Sequence, residues 1–145
     1  MSTALFLNKG VNQDAVFKGN LVYRISTTME KVMSLPCATK DRGVFYRSAI
    51  ETGSFGCSNI FGTYIGFNLK PGSGSCFRSA SSEECRYFKI KQSDSGMKVS
   101  EIQREEYMDT MSVEEKYPRL TMPISIYSRK NSKVAQGIMR VVVTK

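Results

Sequence analysis

Apolar residues along this chain fall into short alternating runs, separated by polar stretches rich in glycine and serine, a pattern that predicts strands more than helices. Leu120, Met122, Ile124 and Ile126 alternate with Thr121, Pro123, Ser125 and Tyr127. Met139, Val141 and Val143 alternate with Arg140, Val142 and Thr144. Both runs read as half-buried strands joined by the polar connection Ser128 to Gly137. Pro123 cannot donate to a ladder, so it belongs at an edge or bulge. Residues 15–26 read as the first strand, with Phe17, Leu21, Tyr23 and Ile25 on one face by period two and Gly19 marking a bulge or close approach. Val44-Phe45-Tyr46, Ile60 to Phe67 and Cys85 to Ile90 are further β-rich runs. Thr27 to Val44 and Lys70 to Glu84 carry turn residues and read as loop.

A helix competes only over Val99 to Lys116. Ser100 and Gln103 resemble a capping box, and Ile102, Met108 and Met111 share one helical face roughly, a stripe that Tyr107 and Val113 interrupt. A short helix or irregular excursion is expected there, ended by Pro118. Several short strands, polar turns and no strong helix predict an all-β fold, a β-sandwich. The length of 145 residues suits one domain, and neither a repeat nor a linker divides it. Residues 15–145 are read as that domain and 1–14 as an N-terminal extension. The extension opens on Ala4-Leu5-Phe6-Leu7 and turns polar through Asp14. It reads either as an edge strand of the same sandwich or as a strand given to a neighbour. Met1 directly before Ser2-Thr3-Ala4 reads as a start placed on a mature or trimmed chain, with no export signal visible. No apolar run approaches the roughly 20 residues of a membrane-spanning helix.

The cysteines add the sharpest chemistry. Cys37, Cys57, Cys76 and Cys85 form an even set that admits three pairings. The sequential one, Cys37–Cys57 with Cys76–Cys85, is expected, because it closes two short loops rich in glycine and serine. A zinc site would want close pairs, whereas the intervening stretches are 19, 18 and 8 residues. The chain has no histidine, which removes Ser-His-Asp and Cys-His arrangements and the commonest metal ligand. The doublets Glu83-Glu84, Glu105-Glu106 and Glu114-Glu115 put neighbouring carboxylates in different directions, so they read as solvated charge rather than a glycosidase pair. No catalytic set, metal site or cofactor is expected. The net charge of +8 is spread along the chain and reads as a cationic surface, not a nucleic-acid stripe. For a self-sufficient binding module, Phe55, Phe61, Tyr64 and Phe77 would supply contact surface and Arg78 and Arg86 anion contacts, although strand aromatics are more often core.

Val16-Phe17-Lys18-Gly19-Asn20-Leu21-Val22 resembles the opening strand of chaperone–usher fimbrial subunits. Met122-Pro123-Ile124-Ser125-Ile126-Tyr127, a polar gap, Gly137 and Val141-Val142-Val143 resemble their closing two strands. The resemblance implies an incomplete immunoglobulin-like sandwich, completed by a donor strand, with a groove between its first and last strands. Phe17, Leu21, Tyr23 and Ile25 would line one side of that groove, and Met139, Val141 and Val143 the other. A periplasmic chaperone would fill it first, then the Ala4, Leu5, Phe6, Leu7 segment of the neighbouring fimbrial subunit. Ile25-Ser26 stands where the family places a cysteine, and Ser132 and Thr144 where it has glycine and tyrosine, which points to a minor or tip subunit. The expectation is therefore a structural or adhesive subunit of an extracellular fimbrium, exported through the periplasm, with a host glycan or protein receptor. The alternative is a self-contained secreted glycan- or protein-binding β-domain.

Overall fold

The architecture comes from a computed structural model, which describes residues 13–60, 62–72, 76–77, 84–94, 96–112 and 117–144, with backbone alone for 13–22 and 110–112. It opens not on a strand but on a 21-residue helix, α1 (Gln13–Met33). The expected strand over 15–26 is thus corrected. Phe17, Leu21 and Ile25 are four residues apart, and that spacing satisfies period two and the helical period equally. Residues 19 and 23 separate the two readings: Gly19 has no side chain, and Tyr23 is 71% exposed. The stripe continues from buried Ile25 into the segment read as loop, where Met29, Val32 and Met33 are also buried. Each such side chain contributes roughly 1.5–3 kcal/mol on burial, which outweighs the weak helix propensity of Thr27 and Thr28.

After α1 come β1 (Thr39–Asp41), β2 (Val44–Tyr46), the short helix α2 (Arg47–Thr52), β3 (Thr63–Asn68), β4 (Cys85–Ser93), β5 (Gly96–Glu101), α3 (Arg104–Ser112), β6 (Arg119–Ser128) and β7 (Lys133–Val143). The protein is mostly β, and its strands form one curled, half-barrel-like mixed sheet in the order β1-β2-β6-β7-β3-β4-β5. β2 runs parallel to β6, and the other pairings are antiparallel. Two facing sheets, as a sandwich requires, are not formed among the described residues. Pro123 pairs opposite Ile138 on β7, upstream of the Ser125–Tyr127 stretch that pairs with β2, so its missing N–H costs no ladder bond on that side.

β7 has neighbours on both sides: β6 along Lys133–Val142 and β3 along Ile138–Val143. The slot expected beside the closing strand is therefore absent among the described residues. Met139, Val141 and Val143 are fully buried, but in the core against α1 rather than in an open groove. Of the groove residues expected on the other side, Ile25 joins that core from a helix and Tyr23 faces solvent, while the side chains of Phe17 and Leu21 lie outside the described set. The expected donor segment Ala4 to Leu7 lies outside the described residues altogether.

The pleat divides the sheet's side chains between two cores. On the α1 face, Leu120, Met122, Ile124 and Ile126 of β6 meet Met139, Val141 and Val143 of β7, with Ile65 and Phe67 of β3 and Phe88 and Ile90 of β4 alongside. Phe55 stacks on Phe67 with ring centroids 5.7 Å apart and meets Phe88 edge-on at 5.1 Å. On the opposite, α3 face, Tyr107 packs with Cys76, Phe77, Tyr87 and Val142. Gly66 on β3 makes room for it: a Cβ there would come within 2.8 Å of Phe77 and 2.9 Å of Tyr107. The structure pairs Cys37 with Cys57 and Cys76 with Cys85. Two disulfides fit maturation in an oxidising compartment. No described helix is long and apolar enough to cross a membrane.

Candidate functional site

The site is built at the end of the sheet where β1, β2, α2 and the β6–β7 turn meet. Parallel pairing of β2 on β6 sets Tyr46 opposite Tyr127, and their rings meet edge-on at 6.0 Å. Both tyrosines are followed closely by cations in sequence. β6 runs on from Tyr127 through Ser128 into the four-residue turn Arg129, Lys130, Asn131, Ser132, because Ser128 pairs with Lys133. Asn131 Oδ1 accepts a hydrogen bond from the Lys133 backbone N–H at 3.0 Å, and Ser132 takes a left-handed φ of 56°, so the turn closes on its own chemistry. Arg129 then lies 4.0 Å over the Tyr46 ring. From β1, Lys40 lies 5.4 Å over the Tyr127 ring. Lys40, Tyr127, Tyr46 and Arg129 thus form a row of cation, ring, ring and cation.

Directly after Tyr46 the chain enters α2, which buries Ala49 and Ile50 and ends at Gly53, whose φ of 70° suits a residue without a Cβ. Burial of that face aims Arg47, Ser48 and Glu51 outward. Together with Ser128, Arg129, Lys130 and Asn131 they line a cleft of about 410 Å³. Its charges are three cations against one carboxylate. Arg47 Nε donates to Glu51 Oε2 at 3.0 Å, and Arg47 Nη2 donates to Glu84 Oε1 at 3.3 Å. Among the described residues, neither Arg129 nor Lys130 has an ion pair. A smaller hollow of about 190 Å³ adjoins the cleft through the shared Ser48 and Arg129, and the Cys37–Cys57 disulfide forms part of its wall.

A hollow of about 490 Å³ lies on the α3 side, lined by Cys85, Tyr87, Glu101, Ile102, Gln103, Arg104 and Glu105. With two carboxylates to one guanidinium, it does not favour an anion. Burial raises the Tyr87 phenol there above its usual pKa, against the opposing pull of Arg104. Burial raises Tyr107 much further. Lys89 is raised by its hydrogen bond to Glu106, at 2.7 Å. None of these shifted groups lies in the α2 cleft.

The contact residues expected from sequence are dispersed. Phe55 and Phe77 are core, on opposite faces of the sheet, and Tyr64 is half-buried against the Tyr107 cluster. Arg86 is engaged by Glu101 at 3.1 Å. Phe61 and Arg78 lie outside the described residues. Glu84 and Glu106 of the carboxylate doublets are bound to Arg47 and Lys89, respectively. Glu83, Glu114 and Glu115 lie outside the described set. Among the described residues, no three His, Cys, Asp or Glu side chains group to hold a metal ion. What sequence reading missed is the cleft itself. Its signal was present as Tyr46-Arg47 and Tyr127-Ser128-Arg129-Lys130, two strand ends where a tyrosine leads into cations. The chain matches no protein-family model, no curated protein and no solved structure.

Proposed function

We propose that this protein is a self-contained, secreted carbohydrate-binding domain that acts without catalysis, through the cleft between α2 and the β6–β7 turn. The observation that carries the reading is the row Lys40, Tyr127, Tyr46 and Arg129, which leads into a lining of hydroxyl, amide and guanidinium groups. Ser48, Ser128 and Asn131 both donate and accept hydrogen bonds, which suits a polyhydroxylated ligand. Arg129 is held over the Tyr46 ring, 4.0 Å from its centroid, so less side-chain freedom is lost when it binds. The absence of histidine from the chain and the disulfide staples are in keeping with a binding role outside the cytoplasm.

A fimbrial subunit working by strand exchange is the rival reading, supported by the likeness of residues 16–22 and 122–143 to fimbrial end strands. Its mechanism needs an unpaired flank on the closing strand, and β7 is bonded on both flanks. We therefore favour the self-contained reading. A glycan array probed with the purified monomer tests it. Wild type should retain a discrete set of sugars, and Arg129→Ala combined with Lys130→Ala should lose them while the thermal midpoint falls by no more than the few degrees that loss of the Arg129–Tyr46 contact costs. A wild-type protein that retains no sugar, or a double variant that retains the same set, sinks the proposal.

A further inference from the structure

Within the cleft, Arg47 already holds two carboxylates, Glu51 and Glu84, whereas Arg129 and Lys130 form no ion pair among the described residues. Arg47 and Glu51 lie four residues apart on α2, with side chains 35% and 43% exposed, and their contact is a single 3.0 Å hydrogen bond. Exposed pairs of this kind are weak, because water competes for both partners. Opposite them, Arg129 and Lys130 bring two positive charges with no carboxylate among the described residues to balance them. Uncompensated cations beside hydroxyl and amide donors define an anion site on the ligand. Arg129, Lys130 and the Arg47 guanidinium that Glu51 occupies line the same cleft, so one bound group can contact all three.

Resting on the carbohydrate reading, we infer that the sugar recognised here carries an acid group, a carboxylate or a sulfate, and that Glu51 sets the selectivity by competing with it for Arg47. The acid group docks on Arg129 and Lys130, which form no ion pair among the described residues. It then accepts the Arg47 Nε–H in place of Glu51, while Glu84 keeps its own contact with Arg47 Nη2 at 3.3 Å. Neutral sugars cannot displace Glu51 and are left with hydroxyl contacts alone. The carboxylate lining the site thus acts as an internal stand-in for the ligand's acid.

The test uses the full chain with both disulfides intact, titrated calorimetrically with a uronic-acid oligosaccharide, an O-sulfated oligosaccharide and the carboxyl-reduced, neutral form of the first. The acidic forms should bind about tenfold tighter than the neutral one or better, and lose that margin as salt is raised. Glu51→Gln should tighten acidic ligands about threefold and leave neutral binding unchanged, as expected for removal of a weak competing pair. Arg129→Lys should keep part of the acid preference, and Arg129→Ala with Lys130→Ala should erase it. Equal binding of the acidic and neutral forms overturns the inference while leaving the carbohydrate reading in place. Acid preference with no gain in Glu51→Gln overturns the role of Glu51. Binding of none of the three ligands, where a glycan array also stays blank, removes the carbohydrate reading and the inference with it.

Discussion

The two disulfides of this protein sit in opposite surroundings. Cys76–Cys85 joins the β3–β4 connection to the start of β4 inside the α3-face core, with Cys76 1% exposed and its carbonyl accepting a hydrogen bond from the Tyr87 hydroxyl. Cys37–Cys57 lies at the surface, tying the segment after α1 to the segment after α2 beside the cleft. Chain entropy alone ranks the exposed bridge as the stronger, about 3.3 against about 2.6 kcal/mol, for sequence separations of 20 and 9. Burial reverses the order of accessibility, because a reductant must reach sulfur before it can attack. One bridge is part of a packed core. The other ties together the frame beside the α2 cleft and is exposed to solvent.

The largest expected effect lies on the buried side. Tyr107→Ala should cost about 3–5 kcal/mol in urea unfolding, since the ring is fully buried among Phe77, Tyr87 and Cys76. A loss below about 1 kcal/mol would mean that this core is not a packed one. Next in size, Cys37→Ala with Cys57→Ala should cost about 3 kcal/mol. In the native wild type, a mild reductant followed by alkylation and peptide mapping should find these two thiols first. Labelling of Cys76 and Cys85 ahead of them would break the contrast.

Gly66→Ala should destabilise by about 1–3 kcal/mol, because the added methyl overlaps Phe77 and Tyr107 from the strand below them. Gly56→Ala on the exposed-bridge side is the matched control, since a Cβ there meets nothing within 4 Å. The smallest effect is one of pH. Tyr107 has a pKa raised by burial above the unfolded value of about 10. Above that pH the unfolded chain releases the proton while the folded one retains it. The stabilising contribution is therefore complete below about pH 10 and declines as pH climbs toward the folded value. Tyr107→Phe should lose about 1 kcal/mol at neutral pH, from the 3.3 Å hydrogen bond to the Arg140 carbonyl, and then show a flatter alkaline limb than wild type in denaturant titrations.

Local pattern was enough wherever one face of an element is buried and the other wet. The alternations over Leu120–Ile126 and Met139–Val143 are strands, and the two sets of apolar residues share a face, as the pleat demands. The short helix or irregular excursion expected within Val99 to Lys116 is a helix, Arg104–Ser112, although Ser100 of the expected capping box lies in β5. The sequential cysteine pairing also agrees with the structure. Residues 15–26 defeated the same reasoning, since apolar positions four apart serve a strand and a helix alike.

Sequence alone determined the β-rich composition, the closing hairpin and the lack of histidine chemistry, and it ranked the sequential thiol pairing first among three. Tertiary structure decided that the first apolar stripe is helical, because only the sheet surface under Ile25, Met29, Val32 and Met33 rewards that face. It also decided where β7 lies. Strand order depends on contacts between residues far apart in sequence, which no local period encodes. The cleft belongs to the same class: Tyr46 and Tyr127 are neighbours only because β2 adds to β6 in parallel, and that pairing brings Arg47 to face Arg129 and Lys130.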